Sequence, residues 1–312
     1  MQPQKLGILF DAGGCLGANT VGPLRAAEER GFLPAAYHEA ASVGGLTASK
    51  LTELGGVGSR KIEKQWLDVE ANGPGALFSK YPMFTRGLFG FFHELFPQDG
   101  RFSYLFSNAG IRNLVAPLDC RAIIDSPVRL DIAVWHERTQ CRKFFSNRDA
   151  LFRGKPELWK QVILAATAIQ GFLPAIPIDG EYYSDGHYIS LQRAFAEGCD
   201  TVFVFLNTPK SRTQKDFHPE KDQWLRRALR TGGADQMVVE EFRRFRHAKK
   251  EFQRVIFFRS SWLSPTHTMI DFHRGTDFER GELGLKGDIT LAIEHSYESA
   301  LRVFQREFPK EI

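Results

Sequence analysis

The chain has little of what marks several common functional classes. Its 312 residues hold four cysteines, Cys15, Cys120, Cys141 and Cys199. They are scattered, without the paired spacing of a zinc site or a disulfide framework, and read as buried thiols. None of the nine histidines falls in a His-Glu-x-x-His pattern, and no metal site is expected. No apolar run approaches the roughly 20 residues of a membrane span. Neither sign of charge dominates: 41 basic against 37 acidic residues leave a net charge of +4. That excess is too small to argue for nucleic acid, although it allows weak attraction to anionic lipid. Internal repeats and low-complexity tracts are absent. The chain enters a strand by Leu6, so no signal peptide is expected, and the expected setting is cytoplasmic, with peripheral contact at a membrane surface.

What is present is a core. Hydrophobic residues make up 43% of the chain, enough for one large α/β domain, or one domain with an extension. Leu6–Phe10, Thr201–Leu206 and Val255–Phe258 are short apolar runs bounded by turn signals, the pattern of buried parallel strands. Val128–Trp135 and Cys141–Ser146 read as two further strands, and 156–169 as a helix. Asp288–Phe304 reads as a terminal helix with Leu291, Ile293, Tyr297, Leu301 and Phe304 on its apolar side. Alternating strands and helices favour a parallel sheet with helices on both faces. Ligands bind such sheets beyond the carboxyl ends of the strands.

Three stretches carry the chemistry. Asp11-Ala12-Gly13-Gly14-Cys15-Leu16-Gly17 follows the first strand and precedes a helical pattern closed by Gly31. A glycine turn there leaves backbone N–H groups that bind anions or a developing oxyanion. No Gly-Lys-Ser/Thr ending makes it a phosphate loop, and Ala12 breaks the dinucleotide spacing. Ala40-Ala41-Ser42-Val43-Gly44-Gly45 has small residues two before and two after a serine, as a nucleophile elbow requires where strand and helix cross closely. Taken alone, Ser42 reads more readily as a helix N-cap, since serine caps are common. Tyr183-Ser184-Asp185-Gly186-His187 follows an Asp179-Gly180 turn between two short strands. Asp185 sits at a strand end, where an Asx-turn is the plainer role.

In this order the three stretches resemble the patatin-like phospholipases, whose members carry an Asp-Gly-Gly-Gly-x-Arg-Gly loop, a Gly-x-Ser-x-Gly elbow and an Asp-Gly-Gly/Ala segment. The connectors Ala168–Pro174 and Arg193–Leu206 look like the bacterial esterase-type branch. The resemblance covers about positions 5 to 210. It implies a three-layer α/β/α fold with a mostly parallel central sheet, and a lipid acyl hydrolase of the phospholipase A, lysophospholipase or carboxylester esterase kind. It implies Ser42 as nucleophile and Asp185 as base, with an acyl-enzyme between them. Backbone N–H groups of Gly13 and Gly14, with Cys15 third, would hold the oxyanion. Ala40 and Gly44 would support the elbow. No cofactor is implied, and the expected partner is a lipid or ester substrate with a transient membrane contact. Several residues depart from the pattern: Ala12 and Ala40 replace glycines, Leu16 replaces a basic residue, Gln170 a proline, and His187 the last residue of the Asp-Gly-Gly segment. Leu16 shifts the expectation from a phosphate head group towards a neutral ester. An inactive lipid-binding relative and an acyltransferase are the alternative functions.

The remaining sequence divides into a catalytic domain over 1–210 and an extension over 211–312, helical with one further strand and packed on the same domain. Ten aromatics fall between Phe78 and Phe106, within a cap or lid expected over about 72–112. They read as a helical cap over the core or, for Phe89 and Phe92 among others, as an acyl-binding wall or membrane entry surface. Val238, Phe242, Phe245 and Phe252 form a helical stripe among cations, the mark of a solvated basic face or an anionic-membrane contact. Leu16 and His187 are the other pocket candidates; His187 reads as a rim residue rather than a third catalytic member.

Overall fold

The computed structural model describes residues 4–77, 79–80, 106–170, 172–207, 254–260, 274 and 286–309. In chain order, β1 (Leu6–Phe10) leads through a 3-10 turn (Gly14–Thr20) into α1 (Val21–Glu29). β2 (Tyr37–Ala41), α2 (Val43–Glu53) and α3 (Ser59–Asn72) follow. β3 (Ser79–Lys80) and β4 (Phe106–Ser107) pair antiparallel, bringing together the two ends of the segment expected to cap the site. Phe89, Phe92 and the other central aromatics lie outside the described residues, as does the basic stripe from Val238 to Phe252. Next come α4 (Ala109–Val115), α5 (Cys120–Asp125), the hairpin β5 (Arg129–His136) and β6 (Cys141–Ser146), α6 (Ala150–Gly154) and α7 (Leu158–Ala166). β7 (Ile176–Ile178), β8 (Glu181–Asp185), α8 (Leu191–Ala196), β9 (Thr201–Leu206), β10 (Arg254–Arg259) and α9 (Asp288–Glu307) complete the description.

The main sheet runs β10-β9-β1-β2-β5-β8-β7, with β6 also on β5. β10, β9, β1, β2 and β5 are mutually parallel; β6, β7 and β8 pair antiparallel. Every residue of β1 and β9 is buried, as an apolar run without alternation requires of a strand covered on both faces; β2 is buried throughout as well, although it carries His38 and Glu39. One face packs against α1, α2, α3, α7 and α9 through Ile8, Phe10, Ala40, Ile132, Phe203 and Phe205. The other carries Leu9, Ala41, Ala133, Val202 and Val204, covered among the described residues by Ile189 to Cys199 with α8. The result is the expected three-layer α/β/α arrangement with a mostly parallel centre.

Three expectations about elements change. The 156–169 helix is shorter than expected: α7 runs from Leu158 to Ala166, and the separate short α6 precedes it. The first glycine turn passes through a 3-10 segment before α1 begins at Val21. α9 buries only part of the stripe that apolarity picks, Ile293 and Phe304. Its inward residues are Ile289, Ala292, Ile293, Ser296, Ala300 and Phe304, while Leu291, Tyr297 and Leu301 are half-buried. The cause is a close crossing with α1. A Cβ added at Gly22 would lie 2.2 Å from both Ser296 Oγ and Tyr297 N, so only small side chains fit between the two axes.

Among the described residues no helix is long and apolar enough to cross a membrane. Cys15, Cys120 and Cys199 are buried free thiols, and Cys141 is an exposed one.

Candidate active site

Strand register brings the predicted pair together. β5 gives one edge to β6 along its length, from Asp131↔Ser146 to His136↔Cys141. Its other edge is shared. β2 occupies the lower part, ending at Ala41↔Ala133. β8 comes from the opposite direction and ends at Asp185↔Val134. The two strands therefore meet end to end on consecutive residues of β5, with Ser42 leaving one and Asp185 closing the other. Where they meet there is no space for a side chain after Asp185: a Cβ on Gly186 would lie 2.5 Å from Ala133 C and 2.6 Å from Val134 N.

Ser42 adopts φ 53° and ψ −133° between β2 and α2. A non-glycine residue pays steric energy there, and such strain concentrates at functional sites. The turn is locked by Gly45 N–H donating to Ser42 O at 2.8 Å. The α2 start crosses the end of β1 so closely that a Cβ on Gly44 would lie 2.4 Å from Phe10 O. The N-cap role open to Ser42 is not taken up, since its side chain makes no capping bond. Its hydroxyl instead faces Asp185, where it favours the ionised carboxylate.

Asp185 is 1% exposed. Burial pushes its carboxyl above the usual aspartate range, opposed by the nearby His187, by the Ser42 hydroxyl and by the His187 backbone N–H. That N–H donates to Asp185 Oδ1 at 2.8 Å, the Asx-type contact expected of an aspartate at a strand end. His187 itself has φ 67°. Its ring Nδ1 lies 4.0 Å from Asp185 Oδ1, beyond hydrogen-bond reach. The ring is thus a neighbour of the pair and not a bonded third member.

The glycine turn faces the same point. Gly14 has φ 54° and lines a small cavity with Ser42, Val43, Leu46, Leu77, Ile111, Thr167 and Ile169. Leu16 N–H donates to Gly13 O at 3.0 Å, opening the 3-10 turn. The first N–H groups of such a turn have no partner within it. Leu16 is buried at 2% exposure, and neither it nor His187 lines the cavity. Ala40 is fully buried in β2, two residues before Ser42.

Two residues that sequence reasoning missed hold the turn. Asn207 follows β9 and donates from Nδ2 to Asp11 O at 2.6 Å. A Cβ on Gly13 would touch Asn207 Cβ at 2.7 Å. Asn19 Nδ2 donates to Leu16 O at 3.1 Å and to Asn207 O at 3.2 Å. Both asparagines are buried. A polar residue directly after an apolar strand, at the sheet end where the motifs gather, was the available signal for Asn207. Among the described residues, no three His, Cys, Asp or Glu side chains are grouped to hold a metal.

No family model and no curated protein matches the chain. Among solved structures, the chain is similar to VipD from Legionella pneumophila, with a TM-score of 0.45 and 12% identity over 97% of this chain and 67% of that one. So loose an overlap transfers no chemistry.

Proposed function

We propose that this protein is a serine hydrolase of carboxylic esters, patatin-like in kind, that cleaves lipid acyl esters with Ser42 and Asp185. The observation that carries the reading is a strained serine at a strand–helix junction whose hydroxyl faces a buried aspartate at the end of the strand that meets its own. Asp185 takes the Ser42 proton as Oγ attacks the ester carbonyl. The N–H groups of Gly13 and Gly14, with Cys15 third, receive the oxyanion; each such donor is worth about 2.7–4 kcal/mol of barrier. The alcohol leaves with a proton from Asp185. Water then attacks the acyl-enzyme, giving Asp185 its proton, and that proton passes to Ser42 Oγ as the acid is released. An aspartate at its ordinary pKa is a poor base near neutrality, and burial moves Asp185 towards the working range.

The cavity wall supports an apolar acyl group and a neutral ester. Val43, Leu46, Leu77, Ile111 and Ile169 are aliphatic, and no cation is among the lining residues. The free space is about 10 Å³, roughly the room a single water needs. An acyl chain enters by displacing part of that wall. Leu77 and Ile111 lie near the two ends of the expected cap, so the cap region is the natural entry.

The test is covalent labelling with a fluorophosphonate, beside turnover of a panel of short esters, lysophospholipids and diacyl phospholipids. Wild type should label at one site. Ser42→Ala should abolish both labelling and turnover. Asp185→Asn should lower both by several orders of magnitude and, by removing a buried ionisable group, raise the melting temperature at neutral pH. Labelling that survives Ser42→Ala, or full turnover in Asp185→Asn, would end the reading.

A further inference from the structure

A second cavity lies away from Ser42. It measures about 430 Å³ and is lined by Arg121, Ile124, Asp125, Asn147, Arg148 and Arg153. Three elements converge there: α5 supplies the first three residues, the turn after β6 the next two, and α6 the last. Arg148 Nη2 donates to Ser126 O at 2.6 Å and Pro127 O at 2.9 Å, just before β5 begins. Ala133 and Val134, where Ser42 and Asp185 meet, lie six and seven residues beyond Pro127. At about 3.3 Å per residue the two sites are roughly 20 Å apart along β5.

The charge in this cavity is unbalanced. Among the described residues, none of the three arginines forms an ion pair with a carboxylate, Asp125 included, although other surface arginines such as Arg60 and Arg138 do. Three guanidinium groups against one carboxylate leave an excess of about two positive charges. The framework is also fixed beforehand. Arg148 is held by two main-chain carbonyls. Asn147 is buried, its Nδ2 donating to Ile123 O at 2.8 Å and Val128 O at 3.0 Å and its Oδ1 accepting from Leu130 N at 2.9 Å. Arg121 Nη1 reaches Arg153 O at 3.5 Å. The guanidinium fork matches phosphate oxygens in pairs, and a phosphate ester carries close to two negative charges at neutral pH. A volume of this size exceeds a lone phosphate and falls in the range of small-molecule sites. Ile124, 5% exposed, adds an apolar wall.

We propose that this cavity binds the phosphate group of a small soluble phosphorylated molecule, at a site separate from Ser42. The soluble source is favoured because a bilayer held here would sit about 20 Å from the cavity beside Ser42.

The test uses the full chain at fixed ionic strength, so that general screening is constant. Pyrophosphate binding is measured by calorimetry, against sulfate and chloride, on wild type and on Arg121→Gln/Arg153→Gln. These two exposed arginines leave the Arg148 and Asn147 framework untouched, and unchanged melting of the variant shows that its fold is intact. Should the double variant fail to fold, Arg121→Gln alone is read in its place. Pyrophosphate should bind wild type with one-site stoichiometry, and at least tenfold more weakly to the variant. A second arm measures co-sedimentation with phosphatidylcholine vesicles with and without a phosphoinositide. Equal pyrophosphate affinity in wild type and variant, or equal binding of sulfate and chloride, overturns the proposal. Arginine-dependent binding to phosphoinositide vesicles without pyrophosphate binding overturns the soluble source.

Discussion

Gly44 and Gly45 are adjacent, both in the first turn of α2, and the structure assigns them opposite responses to a single methyl. A Cβ on Gly44 would lie 2.4 Å from Phe10 O, 2.8 Å from Phe10 C and 2.9 Å from Asp11 O. All three are backbone atoms, which cannot rotate aside. An ordinary carbon–oxygen contact is about 3.3 Å or more, so α2 must withdraw from β1 by nearly ~1 Å. Overpacking of this kind costs about 1–3 kcal/mol. A displacement of that size at a reacting centre costs about a hundredfold in rate, and Phe10 leads directly into the glycine turn. A Cβ on Gly45 meets nothing closer than Ile132 at 3.5 Å, an ordinary contact, and alanine is the better helix former by roughly 0.5–1 kcal/mol. Gly44→Ala should therefore lower the melting temperature and reduce ester turnover and fluorophosphonate labelling by two orders of magnitude. Gly45→Ala should melt at or above the wild-type temperature and stay active. Thermal melts beside a labelling time course read both. If Gly44→Ala matches Gly45→Ala in both assays, the close crossing does not set the geometry of the site.

Other parts of the site make separate predictions. Glu39 is fully buried in β2, where it accepts from Tyr37 OH at 3.1 Å, and burial pushes its carboxyl up to about 8. Its folded value lies above its unfolded one, so its stability contribution is complete below about pH 4.5 and is lost as pH rises through about 8. Glu39→Gln should thus gain a few kcal/mol on wild type between those limits and hold a constant lead above them, as denaturant melts across pH would show. Asn207→Ala keeps the Cβ against Gly13 but loses the bond to Asp11 O. It should lower kcat by about tenfold or more with little change in KM, and an unaltered kcat would remove Asn207 from the support of the glycine turn.

Legibility in the sequence tracked the range over which each feature is determined. The elbow, the Asp179-Gly180 turn and the strand runs are local, and the chain spells them in small residues, glycines and unbroken apolar stretches. Asp179 at φ 49° and Gly180 at φ 85° form the tight connection those two residue types favour. The shared edge of β5 is not local. It depends on β2 being five residues long and on β8 entering from the other side, and no property of Ser42 or Asp185 encodes that. The Asn207 and Asn19 supports stand 188 positions apart, so only the folded sheet makes them partners. On α9, Ala292, Ser296 and Ala300 face inwards beside a glycine on α1, and a pattern that scores apolarity alone finds Ile293 and Phe304 but misses these small residues. The cavity wall was missed for a related reason: Leu46, Thr167 and Ile169 look like ordinary core residues until the end of β2 is set against α7.

The backbone at Ser42 offers a last discrimination, between a working nucleophile and an inert serine kept by the fold. Its φ 53°, ψ −133° conformation costs about 1–3 kcal/mol for a residue with a Cβ. Glycine adopts such angles freely but gives up roughly 0.5–1 kcal/mol of unfolded-state entropy. Ser42→Gly and Ser42→Ala both delete the hydroxyl that faces Asp185, and they differ only in the Cβ. Their stability difference therefore isolates the strain, with glycine expected to lead by about 1 kcal/mol. Chemical denaturation of the two variants measures it. If alanine is the more stable, the angles at Ser42 are not strained in solution. If glycine leads as expected, the chain is carrying a cost that neither packing nor capping requires. The reason for the cost is then the hydroxyl, which those angles hold against a buried carboxylate.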